Sequence, residues 1–97
     1  MISSMEYQLE KCQRMEQIVQ DMINVKGCSP DIITYDTVMK AWNGLALATQ
    51  KIIADKKYLN TKKKEMLHKI LLECADHLKT NLYAMIRLVD EQSSMNP

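Results

Sequence analysis

A chain of 97 residues with 46% hydrophobic content suits one small domain with a modest core, which excludes global disorder. Thirteen basic residues stand against twelve acidic ones, and the net charge of +1 argues against a strongly basic nucleic-acid binder. Two glycines and two prolines are too little turn punctuation for an all-β chain of this length, so an all-α fold is expected.

The first helix is expected over residues 3–26. Ser3 and Glu6 stand at capping-box spacing. Met5, Leu9, Cys12, Met15, Val19 and Met22 follow at steps of four and three, which puts them on one face. Glu10 and Arg14 are four apart on the polar side, in the favourable order. Gly27 can take a left-handed cap and stop the helix.

Ser29-Pro30-Asp31 reads as a new start, with Ser29 as cap, Pro30 at the first helical position and Asp31 at the positive end of the dipole. This second helix is expected over 30–58. Its main stripe is Ile32, Tyr35, Met39, Trp42, Ala46 and Ile53, flanked by Val38, Leu45 and Ile52. Asn43-Gly44 is its weak link, because an interior Gly costs about 1 kcal/mol relative to Ala. The apolar phase continues across it, so a continuous helix, a kink at 43–44 and a turn all remain open.

Asp55-Lys56-Lys57 and Asn60-Thr61 end this element, and Asn60 or Thr61 can cap the next. The third helix, over 61–92, carries Leu67, Leu71, Cys74, Leu78, Leu82, Met85 and Val89 on its stripe, widened by Ile70, Ala75 and Ile86. Residues 93–97 should fray.

Chemistry-bearing patterns are sparse. His68 and His77 are nine apart and share no helix face. Cys74 and His77 are three apart, but a zinc site needs about four ligands and no Cys-x-x-Cys is present, so no metal or cofactor is expected. Cys74 reads as core, and Glu73 with His77 as a surface contact one turn apart. No nucleophile context and no phosphate-binding glycine loop mark an enzyme. The cysteines at 12, 28 and 74 are odd in number and irregular in spacing, which favours a reducing compartment. The N-terminal segment lacks a signal-peptide pattern, and the apolar stretches are too short for a membrane helix. Lys62, Lys63 and Lys64, with Lys56 and Lys57 before them, put positive charge at a helix start. That placement opposes the dipole and suits an acidic partner or phosphate, although a solvated helix end is the plainer reading.

Trp42-Asn43-Gly44-Leu45-Ala46 resembles the signature of the small Trp-x-Gly proteins exported by type VII secretion systems. That resemblance implies a helical hairpin with its turn at Trp42–Gly44, pairing as a homodimer or heterodimer and secreted without a leader. Pro30 within the first arm, the three cysteines, and Arg87 four residues after Tyr83 depart from the family pattern. Gly27 through Met39 resembles the junction between two pentatricopeptide repeats, which would place Asp31 and Asp36 near base-reading positions. No second copy follows, and one repeat cannot read an RNA sequence.

The expected fold is therefore an all-α antiparallel three-helix bundle, or a kinked long hairpin, forming one domain over 1–97. The expected function is non-enzymatic protein–protein interaction, as an adaptor, a chaperone-like protein or an inhibitor of the phage or plasmid type. A cytoplasmic location goes with it; a secreted dimer and an RNA-binding repeat fragment are the alternatives. Trp42, with Tyr35, Met39 and Leu45 around it, is the expected centre of an interface, with a plain core tryptophan as the alternative, and Lys62, Lys63 and Lys64 form a charged edge.

Overall fold

Short-range chemistry sets where each helix starts and stops. A computed structural model describes the backbone of residues 2–55 and 60–95 and the side chains of residues 4–55 and 60–91. Three helices make up the fold: α1 (Ile2–Asn24), α2 (Ile32–Ala54) and α3 (Thr61–Met95), with no strand among the described residues. The all-α expectation holds, and the three-helix form replaces the long hairpin.

α1 begins one residue ahead of Ser3, whose side chain lies outside the described residues. Its C-terminal turn widens as Val25 and Lys26 both donate to the Asp21 carbonyl. Gly27 then adopts φ 65°, and the Cys28 N–H bonds back to the Met22 carbonyl at 2.7 Å. The left-handed conformation is where glycine escapes a Cβ penalty.

The cap of α2 corrects the sequence expectation. Asp31, not Ser29, is the capping residue, and Pro30 precedes the helix instead of opening it. The Asp31 carboxylate accepts from both the N–H and the hydroxyl of Thr34, each at 2.8 Å. These bonds to the ionised form hold its pKa below the ordinary value. α2 then runs unbroken through Asn43-Gly44, so the turn that the Trp-x-Gly resemblance places there is absent. It ends at Ala54, short of the expected 58, and residues 56–59, including Lys56 and Lys57, lie outside the described residues. Asn60 caps α3 by accepting from the Lys63 N–H at 2.8 Å. α3 continues to Met95, past the expected end at 92, because Ser93 and Ser94 do not break a helix as Gly or Pro would.

Gln13 of α1 pairs with Glu73 of α3, and Glu16 pairs with Asn81, so α1 and α3 run in the same direction. α2, joined to each by a short connection, runs against both. It is also the central element: it packs extensively on α3 and less on α1, while α1 and α3 meet chiefly through long side chains. At about 1.5 Å per residue, the 35-residue α3 is roughly 52 Å long and spans most of the 57 Å molecular axis. The 23-residue α1 and α2 are roughly 35 Å and cannot cover it.

The core joins Met5, Cys12 and Val19 of α1 with Val38, Trp42 and Leu45 of α2 and Ile70 and Cys74 of α3. The whole expected α1 stripe faces inward. Two parts of the expectation do not. Ile53 of α2 is exposed, and Thr49 is buried in its phase, its hydroxyl bonded to the Leu45 carbonyl at 2.8 Å. On α3, Ala75, Leu82, Ile86 and Val89 face solvent, whereas Asn81 and Ala84 are buried.

The two glycines make opposite demands. A Cβ at Gly44 would meet nothing within 4 Å, and its φ is not positive, so neither packing nor backbone requires glycine there. Gly44→Ala is expected to stabilise the fold by up to about 1 kcal/mol. Gly27→Ala, at φ 65°, is expected to destabilise it by about 1 kcal/mol. Paired urea denaturations check both signs, and a destabilising Gly44→Ala would mean that α2 is not a regular helix at this point.

Candidate functional site

The middle of the bundle holds a polar cluster inside an apolar frame. Helical spacing places Glu16 one turn after Cys12 and just before Val19, in phase with the buried stripe of α1. Asn81 follows Cys74 by two turns and is likewise in phase with the buried face of α3. Both point inward, and Glu16 is only 7% exposed.

Three partners converge on one oxygen. The Trp42 indole Nε1–H donates to Glu16 Oε1 at 3.1 Å, and the Asn81 amide donates to the same atom at 2.5 Å. His77 Nδ1 lies 3.4 Å from it. The His77 ring stacks on Trp42, with centroids 4.3 Å apart and planes 13° from parallel. The second Asn81 contact goes to the His77 carbonyl at 2.7 Å, and Gln13 reaches Glu73 at 2.9 Å. A carboxylate out of water is tolerated when its acceptor sites are filled in this way. Among the described residues, no buried side-chain N or O lacks a partner.

Trp42 is therefore a keystone of the core. It is 0% exposed and spans from α2 to partners on both other helices. Leu45 is buried as well, while Tyr35 and Met39 are half-buried. Lys62 and Lys64 are exposed and Lys63 is half-buried, all in the first turn of α3. That turn is about 20 Å along the helix from His77, so the lysines and the tryptophan do not form one site. The Glu73–His77 contact, at 3.9 Å, is the edge of the buried cluster and not an isolated surface pair. The charged and amide groups at 16 and 81 are the members that the sequence reading passed over. Their signal was a polar residue in phase with an apolar stripe.

Apolar surface is displayed elsewhere. Leu72 is 57% exposed, Leu82 48%, Tyr83 57%, Ile86 52% and Val89 50%. All five belong to α3, and a helical projection gathers them on one side, with Ala75 and Lys79 between them. A shallow concavity there is lined by Ala75, Leu78, Lys79, Leu82, Tyr83 and Ile86. This stripe, which sequence periodicity had assigned in part to the core, is the candidate interaction surface. Among the described residues no group of three or more His, Cys, Asp and Glu side chains is placed to hold a metal ion, and no helix is long and apolar enough to cross a membrane.

Comparisons with protein-family models, with curated proteins and with solved structures gave no match.

Replacing the keystone or its acceptor should be costly. Trp42→Ala is expected to cost about 3–5 kcal/mol, and Glu16→Ala about 2 kcal/mol, because the indole and the Asn81 amide lose their shared acceptor. Urea denaturation followed by circular dichroism measures both; a loss under about 1 kcal/mol for Trp42→Ala would contradict its keystone position.

The thiols give a second check. Cys28 is exposed, whereas Cys12 and Cys74 are buried and unpaired. Burial pushes the Cys74 thiol up to about 11, with Cys12 and the Glu73 carboxylate adding to the shift. Burial also raises Cys12, helped by the Glu16 and Glu73 carboxylates. One thiol in three should therefore react with a thiol reagent in the native state at neutral pH. Above pH 9 the unfolded Cys74 loses its proton while the folded one keeps it. Stability present below pH 9 should fall as pH rises toward 11, by up to about 2 kcal/mol. Cys74→Val should lack that part of the pH dependence, and identical slopes for the two proteins would refute it.

Proposed function

We propose that this protein acts by binding another polypeptide and carries out no catalysis of its own, as a small adaptor, chaperone-like or inhibitory protein of the cytoplasm. The observation that supports this reading most is the α3 stripe. Five large apolar side chains, each about half exposed or more, lie along one face of a helix whose other face is in the core. Exposed apolar surface concentrated in this way marks interaction sites, whereas scattered single residues do not. A helix face read at steps of three and four is the usual contact of one helix with another.

The buried cluster supports the same reading from the other side. Glu16 Oε1 accepts from Trp42 and Asn81 and so joins the helices, which favours a structural role for this carboxylate. The lysines at the start of α3 contribute an electrostatic edge that steers an acidic partner more than it holds one.

The test is capture on the immobilised protein, comparing the wild type with Leu82→Lys/Ile86→Lys. Both positions are half exposed, so the variant should keep its helicity and melting behaviour. A polypeptide held by the wild type should be lost from the variant, with affinity reduced by at least about 2 kcal/mol, the usual scale for interface centres. Equal capture by both proteins would sink the proposal.

A further inference from the structure

We infer that the occupant of the α3 stripe is a second copy of this chain, packed antiparallel through α3 against α3. This rests on the reading of the stripe as a binding surface and names its partner. Leu72, Ala75, Lys79, Leu82, Ile86 and Val89 repeat at steps of three and four over more than two heptads, the spacing of a two-helix seam. The concavity on this face has the matching shape. Ala75, Leu78, Lys79 and Leu82 are related as i, i+3, i+4 and i+7, and so are Lys79, Leu82, Tyr83 and Ile86. Each set of four is a hole of the kind that accepts one side chain from a facing helix.

Charge selects the orientation and the register. A parallel pair in register would put Lys79 against Lys79 of the second copy inside the seam. The antiparallel pair instead sets Leu72 against Val89 of the second copy, Ala75 against Ile86, and Lys79 against Leu82. The Lys79 stem then covers Leu82 while its ammonium reaches solvent. Residues 69, 76, 83 and 90 border the seam on its outer side. In this register Lys69 lies across from Asp90 of the second copy, and Asp76 lies across from Tyr83, whose hydroxyl can donate to it. A shift of one heptad in either direction brings Asp76 against Asp76 or against Asp90, and like charges there oppose association. The seam is therefore complementary to itself in one arrangement.

Sedimentation equilibrium of the full chain tests the inference. The wild type should show a reversible dimer, and Leu82→Lys should raise its dissociation constant at least tenfold with helicity unchanged. Orientation is read in a Cys28→Ser background by mixing Leu72→Cys chains with Val89→Cys chains. Mild oxidation should join 72 to 89 in preference to 72 to 72 or 89 to 89. A chain that is monomeric at every concentration overturns the inference, as does a dimer indifferent to Leu82→Lys or one that joins 72 to 72. If the chain is monomeric and Leu82→Lys/Ile86→Lys still loses a different captured polypeptide, the binding reading stands and only the identity of the partner falls.

Discussion

The structure turns on one oxygen atom. Glu16 Oε1 is offered by α1, approached by the indole of Trp42 from α2 and by Asn81 and His77 from α3. It is the place where all three helices are tied by direction-dependent bonds and not by apolar contact alone. A domain of this size has a small core and a net stability of only several kcal/mol. Apolar burial would hold three amphipathic helices together in several rotational settings. A buried acceptor with partners on two other helices fits one of them, because any other setting leaves a carboxylate out of water without donors.

That setting explains the surface. To bring Asn81 and His77 to Glu16, α3 must turn the 74–77–81–84 side inward. Ala84, a small residue in that arc, is buried with them. Leu82, Ile86 and Val89 are then carried round to the solvent side, although they are at least as apolar as what replaces them. The displayed stripe is thus a consequence of the polar cluster. The same interaction that fixes the fold turns this apolar face outward.

Much of this was legible in the chain, and the rest was hidden for identifiable reasons. Helix ends follow local grammar: Gly27 and Asn60 act where their residue types predict. Asp31 took the cap expected of Ser29, because its carboxylate can serve both the amide and the hydroxyl of Thr34. The face of α1 could be read directly, since it carries one apolar stripe. α3 carries two in adjacent phases, and periodicity alone cannot say which of them a neighbouring helix covers. The deciding residues, Glu16 and Asn81, are polar, and a reading based on hydrophobic spacing discounts polar residues. Trp42 is legible as the centre of an interface or of the core, and it lies fully buried in the core. Its sequence neighbour Gly44 suggested a turn, but the helix passes through because a continuous α2 is what places Val38, Trp42, Leu45 and Thr49 on one buried face.

Gly44 and the stripe bear on the same question from opposite ends. Gly44 is a local cost with no return inside the chain: it sits in a regular helix, beside open space, in a shallow groove between α1 and α2 that Ala41 and Ala48 also line. Local and global preferences usually agree in a sequence that folds to one state, so such an exception calls for a physical reason. The groove does not supply one, because small residues there create space without marking what fills it. The stripe differs in kind. Its apolar surface has a cost in water and a defined pattern of holes, and its flanking charges discriminate between registers. Of the two irregularities, only the α3 face combines exposed apolar side chains with a regular pattern of holes, which the tryptophan-glycine pair lacks.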